Sequence, residues 1–265
     1  MLFKTRVDRH LRPTAVPAAV TALALSAATL VSLAALHLLS PQFDPSWRMV
    51  SEYALGRYGW LLSLMFAFWA ASSWALAAAL RPRLRTRRGR AGLAFLVLAG
   101  AGEALASAFD ITHSVAHGIA GLLGVGCLPV AAMLISLAVP ARRQQAHARS
   151  PLLGLAALTW LAVAALVVTL VAMTVQVAHA YGGHLPRVAP TTLPPGVLHL
   201  DGWADRLIVV ANCLWVAAAA RYATALARHL DGPPQVVAVA APRRPSRGEK
   251  SEPAPILGAA EILQP

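Results

Sequence analysis

Six stretches of the chain, roughly residues 14–39, 58–80, 92–109, 115–139, 152–179 and 203–226, are each long and apolar enough to cross a bilayer. A spanning helix needs about 20 mainly apolar residues, because hydrocarbon offers a backbone N–H or C=O no partner outside its own helix. Six such stretches predict an all-α, polytopic membrane bundle of six transmembrane helices over residues 14–228. The composition agrees: of 265 residues, 57% are hydrophobic and 13% charged, with a mean hydropathy of +0.59, which is too apolar for a soluble domain.

The formal net charge of +12 does not mark a nucleic-acid binder, because the basic residues sit in short clusters between the apolar stretches, where they fix topology. Of the 23 Lys and Arg residues, only Arg48, Arg57, Arg187 and Arg206 fall on one side of the expected membrane. By the positive-inside rule both termini are then cytoplasmic, and the chain belongs in the inner (plasma) membrane of the cell. The apolar run 14–39 exceeds the 7 to 15 residues or so of a secretory h-region, so it is expected to stay as the first helix. Residues 1–13 become a basic cytoplasmic N-terminus, and 229–265, rich in Pro and small residues, a disordered cytoplasmic tail. The stretch "YGGHLPRVAPTTLPPGVLHLDG", 181–202, is too broken by Pro and Gly for a helix and is placed to lie over the bundle as a lid. Cys127 and Cys213 stand alone inside apolar runs, which indicates neither a disulfide nor a thiolate metal site. Gly118, Gly121, Gly124 and Gly126 predict a small-residue face on the fourth helix for close packing.

Acids and histidines are distributed oppositely to the arginines. Asp44, Glu52, Asp110, Asp201 and Asp205 fall at or beyond the outer helix ends, with His113, His117, His179, His184 and His199. Glu103 lies inside the third stretch with a side chain too short to snorkel far, so it must face protein or water. Glu103, Ser107 and Asp110 follow i, i+4, i+7 spacing and share one helical face, which would line a cavity from its interior to its mouth. In "FDITHSVAHG", Asp110, Thr112 or Ser114 can cap the fourth helix. His113 and His117, four apart, can share a face toward one metal ion. In "HLDGWADRL", Trp203 reads as an interfacial anchor, while Arg206 is expected to pair with Glu52, Asp110 or Asp205. In the loop "DPSWRMVSEYALGRYGW", 44–60, Asp44, Trp47, Arg48 and Arg57 read as anchors and turn residues; Ser51 and Glu52 can dip toward the site.

Three short motifs, "SEYALGRYGWL", "FDITHSVAHGIAGLLG" and "HLDGWADRL", together resemble the multi-pass bacterial and archaeal membrane family called domain of unknown function 998. The resemblance covers roughly residues 15 to 228. It implies that Ser51, Glu52 and Gly56, then Asp110, His117 and Gly118, then Gly202 and Arg206 are the family's recurring positions; it implies no activity. A weaker likeness is to the alkaline-ceramidase and adiponectin-receptor group of seven-helix hydrolases, which hold zinc with three His. The chain departs from that group in placing His113 and His117 on helix 4 rather than a His pair on the last helix.

Three functional readings follow. In the first, Glu52, Glu103, Asp110, His117, Asp205 and Arg206 form an outward-facing pocket for a lipid, a small ligand or a membrane-protein partner. In the second, the chain is a zinc-dependent hydrolase of a lipid amide or ester. His113, His117 and His199 are then the ligands, Asp110 or Glu52 the base for a metal-bound water, and Ser51 an oxyanion donor. In the third, Glu103 relays protons in a transporter, although paired broken helices are not evident. No motif demands a cofactor, and zinc is the one candidate ion.

Overall fold

The computed structural model of the chain describes residues 15–140, 143–185 and 192–231, with side-chain surroundings throughout these except at 143–148 and 227–231. Six long helices follow one another: α1 (Ala15–Leu39), α2 (Gly59–Leu80), α3 (Arg87–Ala108), α4 (Ser114–Ala138), α5 (Arg143–Ala180) and α6 (Asp201–Asp231). Each contains a segment long and apolar enough to cross a membrane, and no strand occurs among the described residues. The fold is the expected all-α six-helix bundle.

Local chemistry sets the helix ends. Pro41 disfavours helical geometry at Ser40, and α1 stops at Leu39. Thr86 caps α3 by accepting the Gly89 N–H on its hydroxyl at 3.1 Å. α5 closes into two glycines with positive φ, and Gly183 donates its N–H back to the Ala178 carbonyl at 2.8 Å.

Two boundaries and one element differ from expectation. α5 begins at Arg143 rather than near 152 and runs through Pro151, and α6 continues to Asp231 instead of ending near 226. Hydropathy senses only the part of a helix that lipid can hold, whereas the backbone satisfies itself equally well beyond it. The 44–60 loop contains a 3₁₀ helix, Val50–Leu55, which is too short to leave a periodic signal. The basic N-terminus, the tail from 232 onward and residues 186–191 of the expected lid lie outside the described residues.

Each helix packs on its neighbours in sequence and α6 returns to α1, so the six close into a ring in chain order; α6 also meets α2 and α4. Buried residues from all six, among them Leu36, Met65, Leu96, Leu128, Ala156 and Trp215, form one core. Between apolar helices in lipid, close van der Waals contact drives association and small residues permit it. The α3–α4 contact is the most extensive. There a Cβ on Gly102 would collide with the Gly124 nitrogen and lie 2.7 Å from the Ala120 carbonyl oxygen. Of the α4 glycines, then, Gly124 does pack. Gly118 and Gly121 do not: nothing lies within 4 Å of where their Cβ would stand. Away from this region, the Trp215 indole donates to Ser136 Oγ at 3.1 Å, and Ser136 donates to the Leu152 carbonyl at 3.2 Å, joining α6, α4 and α5.

Candidate functional site

The first turn of α6 meets the α1–α2 loop through a residue without a side chain. Gly202 donates its N–H to the Ser46 carbonyl at 3.2 Å. A Cβ there would stand 2.6 Å from Pro45 O and 2.8 Å from Arg48 O, so only glycine admits the loop. One turn later Arg206 is 4% exposed. Its Nε donates to His37 Nε2 at 2.8 Å, Nη1 to the carbonyls of Arg48 at 2.7 Å and Gly202 at 2.8 Å, and Nη2 to the Tyr53 hydroxyl at 3.0 Å. A guanidinium only donates, so His37 Nε2 must offer its lone pair. The His37 proton then sits on Nδ1, which donates to the Leu33 carbonyl at 3.0 Å. Asp205 Oδ2 accepts the Val50 N–H at 2.8 Å. Gly202, Asp205 and Arg206 thus latch the loop onto α6 through its backbone, and Arg206 ties α6 to α1.

The loop is braced from within as well. Glu52 accepts from Arg48 Nη1 on Oε2 at 2.6 Å and from the Met49 N–H on Oε1 at 3.0 Å, which caps the 3₁₀ helix. The Arg48 guanidinium lies 4.0 Å from the Trp47 ring centre. Asp44 accepts from the backbone N–H and hydroxyl of Ser46. Those two bonds hold its carboxyl below the usual carboxylate range.

Beneath this latch is a cavity of about 490 Å³. The loop lines it with Met49, Val50 and Ser51, α2 with Phe66 and Trp69, and α3 with Gly102 and Glu103. Helix α4 contributes its face from His117 to Val125, α5 Leu166 and Leu170, and α6 Asp205, Ile208 and Val209. The bare faces of Gly118 and Gly121 leave room for it. Glu103, 2% exposed, accepts from the Ser73 hydroxyl on Oε2 at 2.9 Å, while Oε1 is buried without a partner among the described residues. Trp69, 3% exposed and stacked on Phe66, likewise leaves Nε1 without one. An unmet buried polar group costs about 1–3 kcal/mol, so two on one cavity are conspicuous. His117 Nδ1 donates to the Phe109 carbonyl at 3.0 Å, which leaves Nε2 a lone pair in the neutral ring.

Ser51, Glu103, His117 and Asp205, nominated from sequence on four different elements, therefore line one cavity. The other nominated residues do not. Arg206 takes no carboxylate as a hydrogen-bond partner; backbone carbonyls, a tyrosine and a histidine use its donors. Glu52 meets Arg48, four residues before it, instead of Arg206. Asp110 stays in the α3–α4 turn, its side chain 41% exposed. It accepts from the hydroxyl and N–H of Thr112, with His113 Nδ1 at 3.3 Å. The Thr112 bonds, hydroxyl first, hold its carboxyl below the usual range. It does not cap α4, whose N-cap is His113 with no side-chain bond. Of the predicted stripe only Glu103 reaches the cavity, since Ser107 turns to donate to the Ser63 carbonyl of α2 at 2.8 Å.

The three proposed metal ligands do not assemble. His113 turns onto Asp110, His117 onto Phe109 O, and His199, before α6, has Nδ1 2.9 Å from the Val197 carbonyl. Among the described residues no group of three or more His, Cys, Asp or Glu is placed to hold a metal ion. Trp203 is half exposed, as an interfacial anchor should be.

Sequence reasoning missed His37, Tyr53 and Trp69. His37 had a usable signal, being the one ionisable side chain within the first apolar stretch. Tyr53 and Trp69 had none that separates them from packing residues.

Six apolar helices in a ring, with a loop latched over a cavity that carries a few polar groups, define a multi-pass helical membrane protein. More particularly, the chain belongs to the family described as "Protein of unknown function (DUF998)", which it matches over residues 22–222. No curated protein and no solved structure matches it. Gly202 and Arg206 are the two ends of the latch.

Proposed function

We propose that this protein is a membrane-embedded binding protein that holds a lipid or small amphiphile in the cavity beneath the α1–α2 loop, with the loop end of the bundle facing out of the cell. The observation that carries this reading is the cavity itself. Its volume of about 490 Å³ falls in the range of small-molecule sites, roughly 300–1,000 Å³, and its lining is mainly apolar with a few convergent polar groups. An apolar chain would run along Leu166, Leu170, Ile208 and Val209, and the polar end would meet Glu103, His117 and Asp205. The arginine asymmetry supports the orientation.

Gly121→Leu tests the reading, because nothing lies within 4 Å of where a Cβ at this lining residue would stand and the longer side chain takes up cavity space. Native mass spectrometry of wild type in a mild detergent should show a bound small molecule that the folded variant lacks. A wild type that carries none, or a variant that retains the same species equally, overturns the proposal.

A further inference from the structure

The polar lining of the cavity is biased in one direction. Its side chains include two carboxyl groups, Glu103 and Asp205, and the His117 ring, but no Lys or Arg among the described residues. The nearby cation, Arg206, has four of its five N–H donors committed to the latch. Glu103 Oε1 is buried, lines the cavity and has no donor. A carboxylate in an apolar setting is unfavourable until an opposite charge and hydrogen-bond donors meet it. Trp69 and Phe66 supply aromatic rings to the same lining, and the face of a tryptophan attracts cations.

From these features we infer that the cavity selects an amphiphile ending in an ammonium group, whose N–H donors meet Glu103 Oε1 and Asp205 beside the Trp69 ring while its hydrocarbon lies along α5 and α6. The inference rests on the binding reading above and specifies its ligand. An ammonium brings three donors to the acceptors Glu103 Oε1 and Asp205 and supplies a positive charge that no Lys or Arg of the described lining provides. A fatty acid would bring a third carboxylate against the first two. An alcohol would satisfy one acceptor and leave the charge unmet. The Trp69 Nε1–H then takes a water or an oxygen on the ligand beside the amine.

The test uses the full chain in phosphatidylcholine nanodiscs, with protein-free discs as the partition control, and titrates dodecylamine, dodecanol and dodecanoate separately. Saturable uptake of dodecylamine at one per chain should be at least tenfold tighter than that of dodecanol, with no saturable uptake of dodecanoate. Glu103→Gln, which keeps the Ser73 bond and removes the charge, should bring dodecylamine down to the level of dodecanol. Gly121→Leu should abolish saturable uptake of both. If dodecanol or dodecanoate binds wild type as tightly as the amine, the ammonium assignment falls while the cavity remains a binding site. If none of the three binds saturably, the binding reading falls with it. Should Glu103→Gln not fold, the three-probe comparison on wild type decides alone.

Discussion

Two polar regions lie next to each other at one end of the bundle, and they differ in how far the groups they are built from are satisfied, although Asp201, beside Gly202, is buried with neither carboxylate oxygen partnered among the described residues. In the latch, Arg206 makes four hydrogen bonds, Gly202 admits the loop backbone, and Asp205 and Glu52 each take a loop N–H. In the cavity, Glu103 Oε1 and Trp69 Nε1 have no partner among the described residues. A closed network contributes to stability and leaves little for a ligand to bind; an open one costs stability and keeps groups free for a ligand. Asp205 belongs to both regions, with Oδ2 on the loop and its side chain on the cavity wall.

If that division is right, the largest losses of stability come from the latch. Arg206→Met strips partners from His37, Tyr53 and two carbonyls, and should destabilise the fold by about 3 kcal/mol or more, with Arg206→Lys restoring only part because a lysine lacks the planar fork. Thermal unfolding in detergent followed by size exclusion reads it; a variant that melts with wild type would remove the latch from the account. Gly202→Ala comes next. Its methyl group would stand 2.6 Å from Pro45 O, and the loop must retreat at a cost of about 1–3 kcal/mol, visible in the same assay and as faster proteolysis within residues 44–58.

The cavity should behave in the opposite way. Glu103→Gln keeps an acceptor for Ser73 and removes a charge from an apolar setting, so stability should stay within about 1 kcal/mol of wild type or rise. A fall as large as that of Arg206→Met would make Glu103 a structural residue like those of the latch, and the contrast between the regions would vanish.

The same contrast explains what could be read from the sequence. The six spans were legible because lipid imposes a length and an apolarity on every spanning helix. Glu103 was legible because one carboxylate deep in an apolar run is expensive enough to demand a reason. The partners of Arg206 were not: two are backbone carbonyls, which carry no residue identity, so reading charges against charges assigned it a carboxylate it does not hydrogen-bond. The glycines of α4 carried an ambiguity of the same origin. A missing side chain serves equally to bring a helix close, as Gly124 does, or to leave space, as Gly118 and Gly121 do, and composition cannot distinguish the two.

The smallest effect is expected at Asp110, which the sequence placed in the site and the structure places in a turn. Bonds from Thr112 depress its carboxyl pKa from the ordinary 3.8. A group depressed in the folded state contributes stability that is fully present above its unfolded value and is lost as pH falls through the folded one. Asp110→Asn should therefore lower the melting temperature slightly at pH 7, and the gap from wild type should close only well below pH 4 or so. Because Asp110 does not line the cavity, the same variant should take up dodecylamine as wild type does. Loss of uptake in Asp110→Asn with the fold intact would move the binding site toward the α3–α4 turn.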